Sequence, residues 1–531
     1  LTLRHNRSEA KGMTDTVAEA TAAIARGERD PYHYVTIAWE RAQTGDRSGA
    51  LDLLQQALRI APHDPVVLTT IAVLYREDHR LRDAVLHCDA AIRACPGYAA
   101  AWLERGFILS TGGSFERATQ SYAEAARLDP GNAAAWAGMA MIAARKGDHA
   151  IVRGHAEKAL AIDPENLIAS SALATVDIEQ GNCAAVIERL GPLLDQGALP
   201  SSERANALNV LGDAFDRLGR IDEAFHAYEV AKSEFGLVHA DQFPPERETH
   251  REFINRVGAS LTHAQTVDWP IPEQGPVAHQ AAKHIFLLGY PRSGTTLVEN
   301  MLASLPDVLA LEERPTLRDA DEAFLVDDAG FTKLMGLTAA EATPFRSAYW
   351  AKVKAAGLDV AGRTFVDMDP LKGIRLPLIA RLFPDARILV MRRDPRDIVW
   401  SCFHTNFALT STSYEFTSLE RTARHYDALM RLTQASIMKL PLNTHIVRYD
   451  ALVRDFDTTT REMCDFVGIP WSPQLRNFDR TARMRGVSTA SAAQVRKPLY
   501  DGTRQWERYR KQIEPVLPIL QPWIDLFGFD T

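Results

Sequence analysis

The chain has 531 residues, enough for roughly two to four domains at about 100–200 residues each and for a sizeable buried core. Hydrophobic residues make up 46% and charged residues 24%, globular proportions that exclude wholesale disorder and fibrous structure. Sixty Lys and Arg against 68 Asp and Glu leave a formal charge of -8, which argues against a nucleic-acid-binding surface but leaves room for one small basic pocket for a phosphorylated ligand.

Residues 1–19 are polar where a signal peptide needs an apolar run, and no stretch of about 18 apolar residues follows. Leu1 opens the chain and the first methionine is Met13, so the opening residues carry no weight. The five cysteines (Cys88, Cys95, Cys183, Cys402 and Cys464) form no Cys-x-x-Cys pair, which points away from a disulfide framework or zinc site and toward a reducing compartment. The expectation is a soluble, cytoplasmic protein with no membrane or nucleic-acid partner and no metal.

Residues 14–236 read as a repeat array. Pro62, Pro96, Pro130 and Pro164 lie 34 residues apart, and Gly113, Gly147 and Gly181 keep the interval, as do Trp102 and Trp136. Between them apolar positions recur at helical spacing (Ala118, Tyr122, Ala125), so each unit predicts two antiparallel helices. Asp-Pro in "ARLDPGNAAAW" and "LAIDPENLIAS" is placed to stop one helix and suit the first turn of the next. The two tryptophans are expected in the core. These segments resemble tetratricopeptide (TPR) repeats, which implies an all-α solenoid whose concave face binds a peptide or protein. A scaffold or homodimer interface is the alternative use.

Residues 237–282 predict one helix and then a linker, "DWPIPEQGPVAHQ", carrying Pro270, Pro272, Gly275 and Pro276. Residues 283–531 form the second domain. It opens with "HIFLLGYPRSGTTLVENMLASLPDV", a buried strand, a tight loop and a helix with Leu297, Val298, Met301, Leu302 and Leu305 on its apolar face. Gly289 and Gly294 let the backbone fold tightly, while Ser293, Thr295 and Thr296 bring hydroxyls and amides to a helix N-terminus, making an anion cradle. The glycine spacing is that of a Walker loop, yet Thr295 stands where a phosphoryl-transferring P-loop enzyme has lysine, and the basic group is Arg292. A magnesium-dependent P-loop kinase is therefore disfavoured. A second strand-to-helix segment, "ARILVMRRDPRDIVWSCFHTNF", places Arg393 and Ser401 where both can converge on one phosphate beyond a strand's carboxyl end; a surface ion-pair cluster is the competing reading. Further strands at "RTFVDM" and "THIVRYD" alternate with helices, predicting a parallel sheet covered on both faces.

With these motifs in hand, the second domain resembles sulfotransferases that use 3′-phosphoadenosine-5′-phosphosulfate (PAPS) and release adenosine 3′,5′-bisphosphate (PAP). The likeness is closest to the tyrosylprotein sulfotransferase branch and implies an α/β, P-loop-like three-layer domain. It assigns Arg292, Ser293, Gly294, Thr295 and Thr296 to the 5′-phosphosulfate, and Arg393 and Ser401 to the 3′-phosphate. Tyr449 matches the branch's donor-binding tyrosine. "SAAQVRKPLY" matches a loop that closes over the donor through Gln494, Val495, Arg496, Lys497 and Tyr500, with Ser491 implicated at the transition state. Glu313, 21 residues after Arg292, stands where the branch has its catalytic base, and the spacing favours it over Glu312. The catalytic set is thus Glu313, Arg292 and Ser491.

The departures are specific. Met368 stands where the branch has a lysine, with Lys372 nearby as a substitute. Thr405 and Gln505 replace basic residues, although Arg504 is adjacent, and Pro315 replaces an arginine that helps hold acidic tyrosine peptides. Sulfuryl transfer to a hydroxyl is the expected reaction, with tyrosine peptide, saccharide and small phenol all open as acceptors. The alternative is a repeat adaptor with a catalytically degenerate second domain.

Overall fold

The computed structural model describes residues 16–195, 199–263, 269, 274–487 and 489–529. Most of the polar N-terminal stretch, and Pro270 and Pro272 of the linker, lie outside these residues. The chain divides into two compact units, Leu1–Leu199 with Asn206–Gly219, and Pro200–Ala205 with Arg220–Thr531.

The first unit is built of antiparallel helix pairs, among them Pro65–Glu77 with Leu81–Ala94, Ala99–Thr111 with Phe115–Leu128, and Ala133–Lys146 with His149–Ile162. Its core is lined by small residues at the repeat positions, Ala118 and Ala125 against Ala135 and Met139, then Ala137 and Ala140 against Ala156 and Ala169. The 34-residue period reappears in the bonds. Asn132 accepts from Ala135 N–H and Asn166 from Ala169 N–H, each at 3.0 Å, capping successive helices. Gly113, Gly147 and Gly181 all have φ between +74° and +83°, a left-handed turn that a side chain would strain. Pro130 and Pro164 lie in the turn, and the asparagine two residues on, not the proline, opens the next helix. Trp102 and Trp136 are half-buried rather than enclosed: each indole body packs on the core while its N–H donates to the carbonyl of Pro96 or Pro130, at 2.9 and 3.1 Å.

The second unit centres on a five-stranded parallel sheet, β1 (Lys283–Leu288), β2 (Val308–Glu312), β3 (Thr364–Met368), β4 (Arg387–Arg392) and β5 (Asn443–Arg448), in the order β2-β3-β1-β4-β5. Side chains alternate across it. Ile285 and Leu287 join Val298, Met301 and Met463 on one face. His284 and Phe286 join Tyr349, Trp350 and Phe383 on the other. Both faces are thereby covered by helices, the arrangement a parallel sheet requires. Strand β2, five residues long, has no counterpart among the strands read from the sequence.

The helix Ile221–Val238 falls in the second unit although its sequence reads as the closing repeat helix. Its Phe225 stacks on Trp400 with ring centroids 6.3 Å apart, and Lys232 Nζ donates to the Thr405 carbonyl at 2.6 Å. Among the described residues no helix is long and apolar enough to cross a membrane.

Candidate active site

Because all five strands run parallel, the loops leaving β1, β2, β3 and β4 share one edge of the sheet. The chain proceeds from β1 to one side and from β4 to the other, so the crevice between these strands is the topological switch point where ligands of open α/β sheets bind.

The loop Gly289–Gly294 joins β1 to the helix Thr295–Leu302. A Cβ at Gly289 would lie 2.6 Å from Ser293 Oγ and 2.9 Å from the Met391 carbonyl, so β4 approaches too closely for any other residue. Gly294, at φ +106°, caps the helix. Ser293 and Thr295 are buried beneath the turn, with Ser293 Oγ accepting from Tyr290 N–H at 3.3 Å.

Arg292 is the hub. Its side chain is buried, and its guanidinium donates to Ser401 Oγ at 3.0 Å, Ser491 Oγ at 2.6 Å and Gln494 Oε1 at 2.6 Å. All three acceptors are neutral. Burial holds the guanidinium below its ordinary pKa, and the nearby Arg393 adds to the effect. Arg393 donates to the carbonyls of Arg292 at 2.9 Å and Gly502 at 2.6 Å and lies 4.8 Å from the Tyr449 ring centroid. Its Nε is enclosed 3.9 Å from Asp397 and makes no hydrogen bond. Asp397 in turn accepts from the backbone N–H groups of Arg504 at 2.9 Å and Trp506 at 3.0 Å, mooring the C-terminal loop beside the second motif.

Arg292, Gly294, Thr296, Arg393, Tyr449, Ser491, Gln494, Val495, Lys497 and Tyr500 line one cavity of about 50 Å³, with Phe478, Leu297 and Leu499 completing its wall. Ser401 reaches this group through Arg292. Arg496 turns aside, its guanidinium donating to the Val487 carbonyl at 3.2 Å. Phe478, Leu499 and the Asp397 anchor were missed by sequence reasoning, and no local pattern marks them. His425 is fully buried between Tyr290 OH at 2.6 Å and His250 at 2.8 Å. Cys402 is likewise buried.

Glu313 follows β2 along the same edge, outside the cavity lining. Two strand spacings, about 9–10 Å, separate the β1 and β2 ends. Its N–H donates to the Met368 carbonyl at 2.7 Å, and its φ of +44° is in the left-handed region. Arg292 at +70° and Arg504 at +59° share that feature, so three of the second unit's four described non-glycine residues with positive φ lie on this edge, the kind of stored backbone strain that collects at functional sites. Glu313 opens to water, yet the surrounding protein pushes its carboxyl up to about 8, helped by Asp369, Glu312 and Glu299 and opposed by Lys372. That value suits a base working near neutral pH.

Lys372 is not a free substitute for the missing lysine. It is 1% exposed and ion-paired to the fully buried Asp367, which also accepts from Tyr349 OH at 2.7 Å and Thr316 Oγ1 at 2.8 Å. Met368 is buried on the sheet's apolar face. Among the described residues no grouping of His, Cys, Asp and Glu could hold a metal ion.

Residues 284–473 match the Sulfotransferase family, and residues 69–133 and 171–236 match the Tetratricopeptide repeat. An uncharacterized protein of Aquifex aeolicus is 28% identical over 359 residues, 63% of this chain and 44% of that protein, so the chain spans less than half of this relative's length. Protein-tyrosine sulfotransferase 1 of Danio rerio is 23% identical over 301 residues, 53% of this chain and 81% of the relative. Protein-tyrosine sulfotransferase of Drosophila melanogaster is 26% identical over 266 residues, 46% and 51% of the two chains. The chain therefore joins tetratricopeptide repeats to a domain of the sulfotransferase family, and that domain is the part bearing the arginine-centred crevice.

Proposed function

We propose that the chain transfers a sulfuryl group from PAPS to an acceptor hydroxyl, and that the repeats present this hydroxyl on a peptide or protein. The observation that carries the reading is the buried Arg292 guanidinium, bonded only to neutral oxygens beside the idle Nε of Arg393. Two enclosed cations without a full counter-charge favour an anionic ligand. The loop amides at the N-terminus of Thr295–Leu302 and the bare Gly294 backbone fit a 5′-phosphosulfate. Arg393 and Ser401 fit a 3′-phosphate, and Tyr449 and Phe478 offer apolar rings to the nucleoside. The cavity of about 50 Å³ is far below the roughly 300–1,000 Å³ of a filled ligand pocket, so binding requires residues 489–500 to draw back and Arg292 to exchange Ser491 and Gln494 for anionic oxygens.

When bound, PAPS supplies an activated sulfuryl group. Glu313 as carboxylate accepts the acceptor's hydroxyl proton during attack, a necessity because a phenol has a pKa near ~10. Arg292 and Ser491 oppose the negative charge that develops on the departing side. The relatives' names support tyrosine as the acceptor, whereas Pro315 removes an arginine that would favour acidic peptides. The five free cysteines are consistent with a cytoplasmic site of action.

Calorimetric titration of the full chain with PAP tests the reading. Saturable binding, weakened at least tenfold by Arg393→Ala, is expected; a folded protein that takes up no PAP would overturn it. The adaptor reading is favoured by one observation, the buried Met368 with Lys372 locked on Asp367. It predicts PAP binding without turnover on any hydroxyl acceptor.

A further inference from the structure

Glu313 sits on a loop that is fastened to β3 at both ends. In the β2–β3 ladder Leu311 is in register with Asp367, and Glu312 with Met368. The chain then leaves the sheet: Glu313, Arg314 and Pro315 are exposed, and Thr316 returns to the interior at 3% exposure. Thr316 Oγ1 donates to Asp367 Oδ2 at 2.8 Å, and its N–H donates to the Arg314 carbonyl at 2.8 Å, closing a tight turn. With Glu313 N–H on the Met368 carbonyl at 2.7 Å, the excursion starts and ends on adjacent residues of β3. Leu317 is buried beside Thr316, but apolar packing is non-directional, whereas a hydrogen bond fixes an orientation.

Asp367 is itself held firmly. It is fully buried, with Lys372 on one oxygen and the hydroxyls of Tyr349 and Thr316 on the other. Tyr349, on the helix Ala339–Ala355, has its proton on Asp367 and therefore accepts from His284 Nε2, 2.7 Å away, whose imidazole burial keeps neutral. Bonds to a carboxylate in such surroundings are strong and reinforce one another. The φ of +44° at Glu313 is a conformation that persists only where the surrounding structure over-determines it, and two attachments to β3 do so.

We propose that Asp367 and Thr316 are positioning residues for Glu313: the bond between them closes the loop on β3 and holds the Glu313 carboxylate on the edge of the sheet that bears the crevice. The assignment deepens the reading of Glu313 as the base and rests on it. It gives the enclosed Lys372 a task other than contact with the donor, since Lys372 fixes Asp367 and Asp367 fixes the loop of the base.

The test is Thr316→Val in the full chain, which keeps the side chain's shape and removes its hydroxyl. Turnover should fall about 10–10²-fold with PAP affinity by calorimetry unchanged, and Thr316→Ser should restore it. The Glu313 carboxyl is also titrated in the empty protein by carbon NMR of glutamate-labelled chain, its resonance assigned by its loss in Glu313→Gln. In the wild type this carboxyl feels Asp369 and Lys372 from the turn after β3, Glu312 from β2 and Glu299 from the helix Thr295–Leu302, and titrates at about 8. In Thr316→Val the freed loop should carry it into water and its titration should drop toward the ordinary carboxylate range, returning in Thr316→Ser. An unmoved titration in Thr316→Val, or a change that Thr316→Ser fails to reverse, overturns the proposal. Should Thr316→Val not fold, Tyr349→Phe takes the other donor from the same oxygen; a smaller drop in the same direction is expected, and none overturns the tether. The titration needs neither PAP nor turnover, so it decides the tether even where the donor reading fails.

Discussion

Asp177 and Arg292 are both buried ionic groups, one in each unit, and they are handled in opposite ways. Asp177, on a repeat helix, is met by two cations, Arg153 at 2.9 Å and Arg189 at 2.8 Å. Glu104 is similarly met by Arg76 at 2.5 Å. Each of these buried carboxylates is met by a guanidinium within the fold, although Glu104 Oε2 makes no hydrogen bond. Arg292 and Arg393 in the second unit have hydroxyl, amide and carbonyl oxygens around them, with one carboxylate 3.9 Å away. A fold that keeps a guanidinium buried on neutral partners spends stability on holding a charge ready, the contrast expected between an anion-binding site of the kind proposed and an architectural ion pair.

The contrast can be broken at several points. Glu313→Gln should lower turnover about 10²–10⁴-fold while PAP affinity stays at the wild-type value, since the base lies outside the cavity lining; steady-state kinetics and calorimetry read the two separately. Arg292→Met should lower turnover about 10²–10³-fold, yet leave the unliganded protein at least as stable as wild type, because an uncompensated buried cation is removed. Asp177→Asn should do the reverse, costing about 1–3 kcal/mol in denaturant unfolding by stranding Arg153 and Arg189, with activity per folded molecule unchanged. A loss of stability in Arg292→Met equal to that in Asp177→Asn would erase the distinction.

The smallest effect concerns pH. A base with its pKa raised to about 8 is active when deprotonated, so turnover should climb as pH rises through that value. Asp369 is one cause of the rise, and its side chain also caps the turn Pro370–Arg375 by accepting from Leu371 N–H at 2.9 Å. Asp369→Asn keeps that cap and removes the charge. The rising limb should move to lower pH with little change in its plateau; an unmoved limb would mean that another group titrates.

Much of this was legible from short stretches of sequence. The repeat helices declare themselves because each pair and its turn fit within 34 residues, and the β1 loop because strand, glycines and helix are contiguous. Sequence distance hid the rest. Ser491 and Gln494 lie 199 and 202 residues from Arg292 and came only through resemblance, and the Asp397 anchor on Arg504 and Trp506 has no local signature at all. Lys372 misled for the same reason. Five residues from Asp367 it reads as an available charge, and only the packing of the turn after β3 shows it enclosed. Strand β2 escaped notice because five residues give too short a run for alternation to stand out.

Because Asp397 pins the backbone at 504 and 506, the strip 489–500 can lift from Arg292 like a leaf while the chain beyond it stays moored. Arg496 and Lys497 ride on that leaf. Trypsin should therefore cut after Arg496 faster when PAP is present, because the nucleotide enters only as the leaf lifts off Arg292.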